Sequence, residues 1–231
     1  GTEVARDVAD LVLLDDNFET IVAAVEEGRQ ILKNIRKVLV YLLASVSNEL
    51  LLIGGALVVG LPLPLNALQI LYVNFFSDSF PAIAFAFEKD AGLAGRPAAR
   101  GRLFDPLMRF LILFIGFGAS IFFFGIYWLM LHMGYDHALA QTFIFASFGS
   151  YTLFLAFSLR SLEKSIFAYS PFGNLYLVGG AGIGFALMLA AIYLPILQGV
   201  LGTVALPLPL LAAVIAIGFI TVAINELGKW F

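Results

Sequence analysis

The sequence predicts an all-α, polytopic membrane protein, and its composition and the arrangement of its apolar residues both support this. Of the 231 residues, 61% are hydrophobic and 13% are charged, whereas a soluble domain carries about a quarter charged residues. The apolar residues form long stretches, and a helix needs about 20 of them to cross the hydrocarbon core of a bilayer. The absence of cysteine excludes disulfides, thiolate metal sites and a cysteine nucleophile.

Six stretches have the length and apolar character of membrane-spanning helices. They are preceded by a mixed segment, 1–34, so we expect a boundary near residue 35 and a membrane domain over 35–231. The predicted spans lie at about 36–59, 67–87, 107–133, 138–159, 174–196 and 206–225.

The mixed N-terminal segment contains two local signals. The short apolar run 9–14 is followed by two aspartates, a pattern that suits a buried strand. Asp16 followed by Glu19 resembles a capping box, which predicts that a helix starts near Asn17. Apolar residues then continue at helical spacing into the first span, so this helix should run from water into lipid.

Lysine and arginine are confined to alternate loops. All thirteen lie within residues 1–37, in loop 88–109, in loop 160–164, or at Lys229. Because cytoplasmic loops are enriched in these residues, the pattern predicts that both termini are cytoplasmic. An even number of spans also requires both termini to lie on the same side of the membrane. We expect an integral protein of the plasma membrane, surrounded by the lipid bilayer and without a nucleic-acid partner.

Two acidic residues, Glu49 and Asp78, lie deep inside predicted spans. A carboxylate in hydrocarbon costs about 3 kcal/mol on insertion scales, so such residues usually face a bundle interior or an ion path. The short turn 60–66 makes the two spans neighbours and should bring both carboxylates together near mid-membrane. The alternative is a structural polar pair, with one carboxyl protonated. Asn48, beside Glu49, points elsewhere on the helix and is interpreted as packing.

Further oxygen-bearing residues accompany Asp78. Asn74, Ser77 and Asp78 are spaced i, i+3, i+4 and share one helix face. Carboxylate, amide and hydroxyl oxygens suit Ca²⁺, Mg²⁺, Mn²⁺ or an alkali ion. Pro81 lacks an N–H and should loosen this helix, which frees carbonyls as further ligands. Thr152 is a weaker candidate, because hydroxyls within a span more often bond their own helix backbone.

Several segments resemble the C-terminal half of type II P-type ATPases of the calcium-pump kind. The opening GTEVARDVADLVLLDDNF is similar to the end of their phosphorylation domain, and EEGR (26–29) with NIRK (34–37) to the stalk leading into the fifth membrane helix. QILYVNFFSDSFP (69–81) resembles the sixth helix, and Arg160-Ser161 with KSIF (164–167) resembles the loop after the eighth. The resemblance covers the whole chain and is strongest over 1–90.

This resemblance implies a fold and a function. The fold is the helix–strand tail of a Rossmann-like phosphorylation domain followed by six membrane helices. The function is the ion-translocating half of an ATP-driven cation pump. Glu49, Asn74, Ser77 and Asp78 match the family's ion ligands, and Thr152 falls where calcium pumps carry a carboxylate.

The resemblance also implies what the complete pump needs. ATP and Mg²⁺ would act at a phosphorylated aspartate and a nucleotide-binding domain that lie outside this sequence. We therefore expect the chain to be a fragment, with no catalytic residue of its own, whose partners are the transported cation and the missing N-terminal part of the same pump.

Three positions depart from the calcium-pump pattern. Val46 stands where those pumps have an asparagine, Thr152 where they have a carboxylate, and Ser79 where they have glycine. One of two calcium sites is thus depleted, which suggests a single-site pump or a different ion. An ATP-independent six-span carrier or channel, and a structural membrane subunit, are the competing hypotheses. Segment 1–34 favours the pump, because a carrier has no use for part of a soluble domain.

Overall fold

The computed structural model describes residues 3–10, 12, 17–88, 104–162, 164–170 and 172–228, and this part of the chain is helical without a strand. The all-α class is therefore confirmed. The elements are α1 (Glu3–Asp7), α2 (Phe18–Val59), α3 (Ala67–Tyr72), a π-helical segment (Val73–Asp78), α4 (Ser79–Ala86), α5 (Pro106–His132), α6 (His137–Ser158), a 3-10 turn (Ile166–Ala168), α7 (Leu175–Tyr193), α8 (Pro195–Leu201) and α9 (Leu208–Gly228).

Helix α2 begins where the sequence predicts. Asn17 is its N-cap, and the side-chain oxygen of Asn17 accepts a hydrogen bond from the backbone N–H of Glu19 at 3.0 Å, which satisfies one of the unpaired donors of the first turn. The helix continues without a break to Val59. The predicted boundary near residue 35 lies inside it and stays a prediction.

The predicted strand at 9–14 is not observed where it can be examined. Ala9, Asp10 and Val12 belong to no strand, and Val12 is 43% exposed. The other residues of this run, and Asp16 of the predicted capping box, lie outside the described residues. The tail of a phosphorylation domain therefore stays a prediction.

Five helices of the described structure are long and apolar enough to cross a membrane, where the sequence predicts six spans. They are α2, α5, α6, α7 and α9. The second predicted span, 67–87, is divided into α3, the π-helical segment and α4; we call this unit, 67–86, the broken helix. Pro81 lies within it, and a proline without an N–H removes a backbone hydrogen bond from the preceding turn.

Helix α6 is the centre of the bundle. In its most apolar stretch, 83% of the residues are buried inside the protein, compared with 28–39% in the other four long helices. Its Phe145, Phe148 and Tyr151 are among the largest fully buried side chains. Tyr151 and Phe148 pack against Phe123 of α5, with ring centroids 5.5 and 5.9 Å apart. The other long helices present more of their surface outward, as lipid-facing helices do.

The helices run back and forth between two ends of the bundle. At the charged end, Glu88 meets both Asn34 and Arg160, and Arg36 pairs with Asp105. At the turn end, the carbonyls of Pro62 and Leu63 accept from the Tyr127 hydroxyl at 3.0 Å and the Gln141 amide at 2.9 Å. The described ends of the basic segments, at Arg36, Asp105 and Arg160, thus lie at one end of the bundle. The 60–66 turn lies at the other end.

Helices α2 and α5 approach each other closely at Gly116. A Cβ at this position would lie 2.9 Å from the Cβ of Ser47 and 3.2 Å from the carbonyl oxygen of Ala44. Both distances are too short for a side chain, so glycine is what allows the two backbones to pack here, as small residues do between membrane helices. Gly118, two residues further along, has nothing within 4 Å of the same added atom.

We predict that Gly116→Ala is less stable than Gly118→Ala by about 1–3 kcal/mol, the usual cost of overpacking. Both substitutions gain the same helix propensity, so their difference isolates the contact with α2. The measurement is the free energy of unfolding of each variant in mixed detergent micelles, obtained by titration with SDS. Equal stabilities of the two variants would show that the α2–α5 contact can relax.

Candidate cation site

The first half of the site is the contact between Glu49 of α2 and Asn74 of the π-helical segment. The Asn74 amide nitrogen donates to both carboxylate oxygens of Glu49, at 3.1 and 3.2 Å, and to the carbonyl of Ile70 at 3.0 Å. Glu49 is 6% exposed. The predicted neighbourhood of α2 and the broken helix is therefore confirmed at this level.

The second half is the carboxylate of Asp78, which is 1% exposed. The Ser45 hydroxyl donates to its Oδ2 at 2.7 Å, and the Tyr41 hydroxyl lies 3.2 Å from its Oδ1. Ser45 precedes Glu49 by four residues, so the two share a face of α2. Hydrogen bonds to a charged acceptor are stronger than those to a neutral one, which is why a buried carboxylate collects these donors.

The backbone of the broken helix is π-helical over Val73–Asp78, the segment that contains Asn74, Ser77 and Asp78. Pro81 has no N–H to offer the carbonyl of Ser77, and this carbonyl instead accepts from Tyr41 at 3.2 Å. The Ser79 hydroxyl donates to the carbonyl of Asn74 at 3.0 Å. Short π-helical segments are frequent at functional sites, and side chains here satisfy carbonyls that a regular helix would have used.

Helix α6 closes the site from the other side. The Ser77 hydroxyl would lie 3.2 Å from a Cβ on Gly149, so the backbones approach closely at this glycine. One turn later, the Thr152 hydroxyl donates to the carbonyl of Gly149 at 3.1 Å, as expected for a hydroxyl within a helix. Thr152 also borders Asp78 and the Tyr41 hydroxyl.

The five residues predicted for the site lie near one another in the structure, and two further residues, Ser45 and Tyr41, join them. Glu49, Asn74, Ser77 and Asp78 lie between α2 and α6, with Thr152 against the same carboxylate. Ser45 and Tyr41 were missed, and only their spacing of four and eight residues before Glu49 hints at a shared face. Asn48 is fully buried and forms no side-chain hydrogen bond within the described residues, so no such bond connects it to the site.

The group contains two buried carboxylates, Glu49 and Asp78. Among the described residues, no cluster contains three or more His, Cys, Asp or Glu side chains that could hold a metal ion. The negative charge available to a cation here is therefore that of the two carboxylates. Glu49 and Asp78 are close enough to interact electrostatically. The Ser45 and Tyr41 hydroxyls lie at Asp78, and Asn74 presents its amide nitrogen to Glu49. Carboxylate, hydroxyl and carbonyl oxygens are the kinds of ligand that Ca²⁺ takes.

The long apolar helices define an integral membrane protein, and two buried carboxylates lie inside its helical bundle. A comparison with known families agrees: residues 62–231 match the family described as "Cation transporting ATPase, C-terminus". The chain therefore belongs to the cation-transporting ATPases and corresponds to their C-terminal region.

Known proteins match this chain over most or part of its length. The calcium-transporting ATPase of Bacillus subtilis is 39% identical over 210 residues, which are 89% of this chain and 24% of that protein. Calcium-transporting ATPase 1 of Bacillus cereus is 34% identical over 247 residues, 99% of this chain and 28% of that protein. A P-type sodium-transporting ATPase4 of Toxoplasma gondii is 51% identical over 88 residues, 38% of this chain and 7% of that protein. The chain spans about a quarter of the length of the two calcium-transporting relatives.

We predict that Ser45→Ala weakens cation binding about tenfold, because a hydrogen bond to a charged group contributes about 1.5–3 kcal/mol. The matched control is Ser47→Ala on the same helix, whose Cβ faces Gly116 of α5. Equilibrium binding of radioactive Ca²⁺ to the purified protein measures the effect. If both variants bind Ca²⁺ like the wild type, the hydrogen bond from Ser45 to Asp78 has no role in ion binding.

Proposed function

We propose that this chain is the ion-translocating membrane portion of an ATP-driven Ca²⁺ pump. The observation that carries the proposal is the pairing of Glu49 and Asp78 from two adjacent helices, buried together and hydrogen-bonded by the neutral side chains of Asn74 and Ser45. Two relatives that cover most of the chain are calcium-transporting ATPases, which favours Ca²⁺ over sodium.

Charge balance supports one Ca²⁺ per cycle. Two carboxylates neutralise one divalent ion, and an uncompensated charge in an apolar bundle is costly. A second divalent ion would need further carboxylates, whereas Val46 and Thr152 bring none. Asn74 and Ser77 complete the first ion's oxygen shell, and Ser45 orients Asp78 through the hydrogen bond that it donates to Oδ2.

The broken helix serves as a membrane crossing in this proposal. It is 20 residues long from Ala67 to Ala86, and discontinuous helices at mid-membrane are a recurring way to expose backbone carbonyls to ions. With it, the chain crosses six times. The charged end, with its basic segments, then faces the cytoplasm together with both termini. The plasma membrane is our proposed location.

The complete pump would supply the chemistry that this chain lacks. ATP and Mg²⁺ would bind to the N-terminal part of the same protein, where an aspartate is phosphorylated. Segment 1–16 would be the tail of that phosphorylation domain, and α2 would connect it directly to Glu49. This chain binds and releases the ion, while the N-terminal part converts ATP hydrolysis into movement of α2.

We predict that Asp78→Asn in the full-length pump lowers apparent Ca²⁺ affinity about a hundredfold or more, because it removes a charged ligand worth about 3 kcal/mol. The amide matches the shape of the carboxyl and carries no buried charge, so the protein should still fold. Ca²⁺-dependent ATP hydrolysis and uptake into inside-out vesicles give the readout.

The control for this substitution is Asp136→Asn, at the exposed N-cap of α6, where asparagine also accepts the Ala138 N–H. Unchanged uptake in Asp78→Asn would refute the site. Ca²⁺ uptake by the wild type that needs no ATP would favour the six-span carrier instead.

We further predict a stoichiometry of one Ca²⁺ bound per pump molecule, from the two-carboxylate charge balance. Equilibrium binding of radioactive Ca²⁺, normalised to the amount of phosphoenzyme that ATP can form, gives this ratio. A ratio of two would mean that residues outside this chain or neutral oxygens support a second ion, and the charge-balance argument would be wrong.

A further inference from the structure

A buried ion pair lies at the charged end, outside the cation site. The Arg160 Nε lies 3.1 Å from both carboxylate oxygens of Glu88, and its terminal nitrogen lies 2.7 Å from one of them. The side chains are 8% and 6% exposed. Glu88 follows the end of α4, which continues directly from Asp78 of the site. Arg160 follows the end of α6, which contains Thr152. The pair therefore joins the ends of two helices that lie at the site.

Two other elements are tied to the same pair. Asn174, the N-cap of α7, donates to the second carboxylate oxygen of Glu88 at 2.7 Å and to the carbonyl of Ala84 at 3.0 Å. Arg160 also donates to the carbonyl of Ser170 at 2.6 Å and lies 5.2 Å from the ring centre of Tyr169. The start of α7 and loop 160–174 are therefore fixed to the end of the broken helix.

The loop is itself held by Tyr169. Its hydroxyl lies 3.0 and 3.1 Å from the carbonyls of Phe157 and Ser158 at the end of α6. Burial raises the pKa of Tyr169, so the hydroxyl keeps its proton and remains a donor at all physiological pH values. Arg160 thus packs against the ring of a tyrosine that is itself hydrogen-bonded to the end of α6.

Helix α2 reaches the network through the backbone of Glu88. The side-chain amides of Gln30 and Asn34 donate to the Glu88 carbonyl oxygen at 3.1 and 3.0 Å. Glu88 therefore contacts α2 with its carbonyl, and α6 and α7 with its carboxylate. Four helices meet at this one residue, and α2 is the helix that continues beyond the bundle towards the N-terminal segment.

The path from this meeting point to the ion site is short and helical. Asn34 lies 15 residues before Glu49 on the unbroken α2, about 22 Å at the helical rise. Glu88 follows Asp78 by ten residues, about 15 Å along α4. Movement of α2 at Asn34 would therefore reach Asp78 through Glu88 as well as reaching Glu49 directly.

An ion pair suits such a coupling role better than a purely stabilising one. A buried ion pair gives little net stability compared with apolar packing, but it demands one geometry and leaves a costly unpaired charge when broken. It therefore makes the four helix ends move together or not at all.

We propose that Glu88 and Arg160 are positioning residues that make the cytoplasmic ends of α4, α6 and α7 follow α2, so that ion binding between Glu49 and Asp78 is coupled to phosphorylation. This inference rests on the proposed pump function. It predicts that loss of the pair separates Ca²⁺ binding from the phosphorylation that binding should trigger, because neither residue touches the ion.

The test uses Glu88→Gln in the full-length pump, with two measurements on the same preparation. Equilibrium binding of radioactive Ca²⁺ should stay within about twofold of the wild type, while the rate of Ca²⁺-dependent phosphorylation from ATP should fall about tenfold, a typical size for coupling between sites. A purely structural role would lower both measurements together, and that result would overturn the proposal, as would no change in either.

The matched control is Asp105→Asn. Asp105 pairs with Arg36 at the same end of the bundle but is 21% exposed, and asparagine can still cap α5 through the Met108 N–H. This variant should phosphorylate at the wild-type rate. An equal defect in it would show that any charge removed from this end has the same effect, which would contradict a specific role for Glu88.

The double variant Glu88→Gln with Arg160→Gln removes the unpaired charge and carries the test if the single variant fails to fold. It should bind Ca²⁺ and remain slow in phosphorylation; recovery of the wild-type rate would overturn the proposal. A wild-type pump with Ca²⁺ binding but no Ca²⁺-dependent phosphorylation would instead refute the proposed function on which the inference rests.

Discussion

Two carboxylates inside an apolar bundle are the constraint on which the rest of the structure depends. Water cannot solvate Glu49 and Asp78 there, so other groups must compensate their charge. Asn74 faces Glu49, and Ser45 and Tyr41 face Asp78. These partners come from α2 and the broken helix, so burying the charges also fixes how the two helices pack. A cation that enters the site would complete the compensation, and binding is thus linked to helix arrangement.

The irregular backbone of the broken helix follows from the same constraint. A regular helix consumes its own carbonyls and offers an ion only side chains. The π-helical segment and Pro81 release this restriction where Ser77 and Asp78 lie, and the carbonyl of Ser77 already contacts Tyr41. The close approach of Gly149 then lets α6 pack against this segment. Irregularity at this point is therefore supported from both sides.

The site could be predicted in part because charge in an apolar stretch is conspicuous. Glu49 and Asp78 stand out in the sequence, and helical spacing adds Asn74 and Ser77. Ser45 and Tyr41 do not stand out, because hydroxyls and phenols are common in spans and usually bond locally. Their role becomes visible only when α2 is packed against the broken helix, a relation between residues more than 30 positions apart.

The fold shows the same division between local and distant information. Apolar length predicts α2, α5, α6, α7 and α9, and local chemistry predicts the start of α2 near Asn17, although the capping residue is Asn17 and not Asp16. The division of 67–87 was not predicted, because Pro81 announces a weakened helix without specifying a π-helical register. The pairing of Glu88 with Arg160 spans 72 residues, and nothing in either neighbourhood identifies the partner.

The close contact at Gly116 has a mechanical consequence for α2. This helix packs closely on α5 between Ala44 and Asn48, only a few residues from Glu49, while Asn17 lies almost 30 residues away. With a rise of about 1.5 Å per residue, a tilt of about 10° around this contact would move the Asn17 end by about 7 Å and Glu49 by about 1 Å. The two ends of the helix would thus move by very unequal amounts, and a displacement of several ångströms at Asn17 would become about 1 Å at Glu49.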